Sequence, residues 1–108
     1  MTVYELSQHS QINVLTMPEP EREINGAYIG DLLSWVMGRA EADNIWITIM
    51  SNINVIAVAS LSDVSCVLLA EDVTLDSELL NTAKEKGINI LSTPLAAYEA
   101  ATKLSGMI

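Results

Sequence analysis

The run Asn54-Val55-Ile56-Ala57-Val58-Ala59-Ser60-Leu61 reads equally well as a strand and as a helix. Its β-branched residues suit the return strand of a hairpin turning at Ser51-Asn52. Its regularly placed Ala residues suit a buried helix capped by Asn52 or Asn54. Periodicity does not separate the two. The choice matters because Ile45 to Met50, the clearest strand of the chain, lies just upstream. A hairpin makes its neighbour antiparallel, whereas a helix is a crossover to a parallel neighbour.

The flanking segments favour alternation of strands and helices. Downstream, Cys66 to Ala70 is an apolar strand, and Asp76 to Lys86 is a helix with an acidic start and a basic end. Gly87 stops that helix, Ile88 to Leu91 is a strand, and Pro94 to Leu104 is a last helix with Pro near its first turn. Upstream, Thr2 and Glu5 have capping-box spacing before a short helix over Val3 to Gln8. Ile12 to Met17 is a strand, ended by a turn holding Pro18, Pro20, Glu19, Glu21 and Glu23. Ile24 to Ile29 is a second short strand. From Asp31 the period becomes helical, with Leu32, Leu33, Val36, Met37 and Ala40 on the apolar stripe. Asp31 or Gly30 stands at the start of that helix, where an acid satisfies free amides. The expectation is a single α/β domain over residues 1–108, a layered sandwich with a mainly parallel central sheet flanked by helices.

Composition narrows the chemistry. Acidic residues outnumber basic ones 14 to 5, for a formal net charge of −9, and no basic cluster offsets them. Phosphate backbones and anionic membrane surfaces are therefore disfavoured as partners. Cys66 is the one cysteine and reads as a small buried hydrophobe, as in a reducing cytoplasm. No signal peptide opens the chain, and its most apolar run falls well short of the roughly 20 residues that span a bilayer. The chain reads as cytoplasmic.

Catalytic signatures are missing. There is no Gly-x-x-x-x-Gly-Lys-Ser/Thr loop and no Gly-x-Gly-x-x-Gly fingerprint. His9 is the sole histidine and lacks an orienting partner, and one Cys with one His makes no zinc site. What remains is positional. Ligands of open parallel sheets collect beyond the carboxyl ends of the strands. There the sequence places Asp31 and Ser34, then Thr48, Asn52 and Asn54, then Thr93. Each is also a plain helix-cap or turn type. Trp46 lies in a strand and reads as core. Trp35, in Gly30-Asp31-Leu32-Leu33-Ser34-Trp35-Val36-Met37, joins Met37 as a candidate interface residue, because aromatics and Met are enriched in interface cores.

Glu21-Arg22-Glu23-Ile24-Asn25-Gly26, Gly30 to Met37, Trp46-Ile47-Thr48, Asn54 to Ala59 and Ile88 to Thr93 together resemble the DRTGG domain family. The likeness keeps its order from about Glu21 to Leu104. The name-giving motif survives only as an acid, Arg22 and Gly26, and Asn52 stands where related chains often carry His. The resemblance implies an α/β sandwich akin to the N-terminal domain of HPr kinase/phosphorylase, and favours a helix at Asn54 to Leu61. It also implies a regulatory, dimerising module like those accompanying CBS pairs in pyrophosphatases or lying upstream of phosphotransacetylase domains. Kinase activity is rejected, because the phosphate-binding loop is missing. The expected function is thus a non-catalytic regulatory homodimer without cofactor or metal, partnered with a larger metabolic or electron-transfer enzyme. The alternative is a sensor of a nucleotide or acidic metabolite at Asp31, Ser34, Thr48, Asn52, Asn54 and Thr93.

Overall fold

Ile53–Ser62 is a helix, so the ambiguous run is a crossover. Asn52 caps it, its side chain accepting from the Asn54 N–H at 2.9 Å. The computed structural model describes residues 1–108. In chain order the elements are α1 (Val3–Ser7), β1 (Asn13–Thr16), β2 (Ala27–Ile29), α2 (Leu33–Arg39), β3 (Ile45–Thr48) and α3 (Ile53–Ser62). They continue with β4 (Cys66–Leu69), α4 (Ser77–Glu85), β5 (Ile90–Ser92) and α5 (Ala97–Ser105). Local signals account for most boundaries. Thr2 and Glu5 form the reciprocal capping box on α1, and Asp76 caps α4 through the Leu79 N–H at 2.9 Å. Gly87 takes φ +73° just past α4.

The strands form one sheet in the order β1-β5-β4-β3-β2. β2, β3, β4 and β5 run parallel, and β1 closes the far side antiparallel to β5. Every residue of β3 and β4 is buried, as a sheet covered on both faces requires. Alternate side chains feed two cores. One gathers Val36, Trp46, Val55, Ile56, Val67, Leu69, Ala83 and Ile90 beneath α2, α3 and α4. The other gathers Val3, Leu6, Ile45, Ile47, Cys66, Leu68, Leu91 and Leu104 beneath α1 and α5. Each fully buried Leu, Ile or Val there contributes about 1.5–3 kcal/mol. The Trp46 indole is wholly buried and satisfies its one polar atom by donating to the Gly30 carbonyl at 2.9 Å.

Two helix starts differ from the sequence expectation. Leu32, not Asp31 or Gly30, is the N-cap residue of α2, and it offers no side-chain cap. The Asp31 carboxylate turns instead toward β3, where two donors converge on it. Pro94 precedes α5 by a turn rather than sitting inside it, so Ala96 is the N-cap residue.

Candidate functional site

Because β2 to β5 are parallel, the loops that follow them emerge at one edge of the sheet. The β2–α2 and β3–α3 loops are tied together there by Asp31. Its Oδ1 accepts from the Thr48 hydroxyl at 2.7 Å and from the Ile49 N–H at 3.0 Å. The Thr48 hydroxyl oxygen in turn accepts from the Met50 N–H at 3.2 Å. Thr48 is buried and Asp31 is exposed, so the pair carries a negative charge to the rim without stranding it in the core. Gly30 permits this corner: a Cβ there would stand 2.9 Å from the Tyr28 ring.

The other candidate polar residues are placed apart. Asn52 and Asn54 meet each other across the α3 cap. Thr93 is fully buried after β5, its hydroxyl accepting from the Leu95 N–H at 3.3 Å while its carbonyl accepts from Asp72. Ser34 is exposed in the first turn of α2. The structure thus brings Asp31 and Thr48 together and leaves Thr93 beyond β4. No three His, Cys, Asp or Glu side chains assemble as a metal-holding group, and no enclosed pocket opens in the chain.

The apolar residues of the same corner are the larger feature. Trp35 is 54% exposed and Met37 52% exposed, but two positions apart on a helix they point to opposite flanks. Leu33, Val36 and Ala40 form the inward stripe of α2. Leu32, Trp35 and Arg39 share one flank, and Met37 lies on the other. In a right-handed β2–α2–β3 crossover the Trp35 flank looks outward past β2, and Met37 looks toward α3. The Arg39 guanidinium lies over the Trp35 ring, 3.6 Å from its centroid. That stacking was legible as an Arg four residues after a Trp, the spacing that brings helix side chains together. Exposed Leu32 adjoins Asp31 and extends the patch, whereas Ile29, also exposed, alternates onto the other face of the sheet.

The Arg of the name-giving motif works at the opposite edge. The Arg22 guanidinium donates to Asp43 Oδ1 at 3.0 Å and to Asp63 Oδ1 at 2.8 Å. Both aspartates hold left-handed backbone, at φ +69° and +56°. Burial works against the Arg22 charge, yet the hydrogen bonds to Asp43 and Asp63 outweigh it and raise the pKa. Gly26 sits at φ +76° where a Cβ would stand 3.0 Å from the Asn44 amide. Asn44, Ser65 and Asn89, each immediately before a strand, are buried and bond the backbone of neighbouring loops. The retained motif residues therefore hold the amino edge of the sheet rather than a rim site.

The DRTGG domain profile matches residues 5–107 of the chain. No curated protein sequence matches it. A similar solved structure holds the CBS and DRTGG domains of the regulatory region of Clostridium perfringens pyrophosphatase, complexed with the activator diadenosine tetraphosphate. The TM-score is 0.67 at 15% identity, over 84% of this chain and 40% of that one. At that identity the likeness is one of fold, and this chain spans well under half of the solved neighbour.

Proposed function

The chain belongs to the DRTGG domain family, and from that premise we propose that it is a non-catalytic regulatory module that pairs with a second copy of itself. One observation carries the reading: Trp35 and Leu32 lie exposed on the same flank of α2, on a corner that is nearly free of acid. Between Ile24 and Ser62 the only acids are Asp31, Glu41 and Asp43, in a chain with 14. Asp43 is bound to Arg22 at the far edge, and the Asp31 carboxylate is turned toward β3 by the two donors it accepts from. Two protomers of net charge −9 repel each other, so they meet where that charge is weakest. A Trp braced by an Arg is also the side-chain type that anchors interfaces.

The regulated partner in this reading is a larger enzyme, by analogy with the regulatory region of the pyrophosphatase. No helix is long and apolar enough to cross a membrane. Sedimentation velocity of the wild type and Trp35→Ala across micromolar concentrations tests the pairing. The wild type should sediment as a dimer, and Trp35→Ala should bind itself roughly thirtyfold less tightly. A wild type that stays monomeric overturns the proposal.

A second reading, a sensor of a nucleotide or acidic metabolite, is supported by the activator held by the solved neighbour and by the Trp35–Arg39 stack. Arg39 is the one cation on this corner, and Asp31 opposes an anion beside it. Thermal-shift assays with nucleotides test it, and Arg39→Ala should abolish any shift.

A further inference from the structure

We infer that the second copy joins by its β2 edge, antiparallel across a two-fold axis at Tyr28, so that the two sheets become one. This rests on the self-association proposed above and specifies its seam.

The phase of the β2–β3 ladder exposes the edge. The Ile45 N–H donates to the Gly26 carbonyl at 3.0 Å and the Gly30 N–H to the Ile47 carbonyl at 3.2 Å. A parallel ladder engages alternate residues, so the backbone groups of Tyr28 face β3 and those of Ala27 and Ile29 face outward. β2 has no other neighbour. Native sheets protect such an edge with Lys, Pro or charge, and Ile24-Asn25-Gly26-Ala27-Tyr28-Ile29-Gly30 has none. Tyr28 packs into the core beneath α2, whereas Ala27 and Ile29 project onto the other face, where they are exposed.

Two-fold pairing of this edge is self-complementary. Ala27 of one copy faces Ile29 of the other and exchanges both backbone bonds with it, twice over, with the Tyr28 pair on the axis about 4.5 Å apart at Cα. Strands lie about 4.8 Å apart, and α2 crosses over β2 and β3, so its axis falls about 5 Å from the two-fold. The two copies of α2 then lie about 10 Å apart, the distance at which helices pack. Their facing flanks are those carrying Leu32 and Trp35, which α2 directs past β2. Three residues of strand are too short to hold a partner alone. The helix flank supplies the apolar area, and the strand fixes the register. A second copy fits this corner better than a foreign strand, because only the chain itself brings a matching apolar flank at the same offset.

Amide hydrogen exchange of the wild-type dimer reads the seam directly. The Ala27 and Ile29 amides, unpaired in a lone chain, should exchange roughly a hundredfold slower at concentrations where the dimer forms. Ile29→Lys, at an exposed site that leaves the fold intact, should weaken the dimer roughly tenfold or more. Tyr28→Cys should give a disulfide-linked dimer under oxidation. A wild-type dimer whose Ala27 and Ile29 amides exchange freely overturns the seam while leaving the dimer standing. A wild type that is monomeric throughout overturns both.

Discussion

The Arg22 guanidinium reaches Asp63 twice, at the carboxylate Oδ1, 2.8 Å away, and at the main-chain carbonyl, 2.6 Å away. Asp63 is the left-handed residue that ends α3, and the same guanidinium nitrogen also holds Asp43, which precedes β3. One planar group thus joins the entries to β2, β3 and β4.

Arg22→Ala should destabilise the domain by about 2–3 kcal/mol, since the charge-assisted bonds to Asp43 and Asp63 are lost and two left-handed turns lose their tie. Arg22→Lys should recover less than half, because an ammonium cannot present two donors in the plane of the guanidinium. Urea unfolding followed by the fluorescence of the buried Trp46 measures both. A full rescue by Lys would mean that charge alone, not the fork, matters.

The Asp31–Thr48 pair should couple measurably. Asp31→Ala leaves the Ile49 N–H and the buried Thr48 hydroxyl without an acceptor, at a cost of about 1–2 kcal/mol. Thr48→Val alone removes one donor to Asp31 and the acceptor for the Met50 N–H. A double-mutant cycle should return a coupling of about 1 kcal/mol. Values within error of zero would show that solvent replaces the bond without loss.

Alkaline pH should weaken the fold through Cys66. Burial pushes its thiol up to about 12, and the positive charge of Arg22 pulls the other way without prevailing. The folded state thus holds the proton at pH values where an unfolded chain, with a thiol near ~8.5, releases it. Stability is fully present below that lower value. Above it, unfolding is favoured by about 1.4 kcal/mol per pH unit until the folded thiol itself ionises. Denaturation midpoints measured between neutral and alkaline pH should fall more steeply for the wild type than for Cys66→Ala. The same burial should make the thiol inert to alkylating reagents until the chain unfolds.

Several features of this protein were decided by neighbouring residues alone. Thr2 with Glu5, Asp76 with the α4 amides, and Gly87 after α4 are contacts within a turn or two of chain, so their types and spacing suffice. The run Val67-Leu68-Leu69 is apolar on both faces, which already implied a strand covered twice. The carboxyl-edge placement of Asp31 and Thr48 followed from parallel strands once those were granted. Trp35 and Met37 were legible as candidate interface residues, but Met37 and Leu32 were expected on the apolar stripe and instead lie exposed on opposite flanks, which depends on where the inward stripe of α2 settles.

Tertiary structure decided the rest, because the deciding partners are distant in sequence. Asn54 to Leu61 has no period of its own, and it became a helix where it could bury Val55, Ile56, Val58 and Ala59 against a sheet already formed. Asp31 left the α2 amides for Thr48 and Ile49, donors that only the pairing of β2 with β3 brings within reach. Arg22 is joined to Asp63 across forty-one residues, and no local rule could have foretold that bond. Short-range hydrogen bonds and hydropathy are written in the order of residues, whereas the edges, flanks and rim of this domain exist only once the strands have chosen their neighbours.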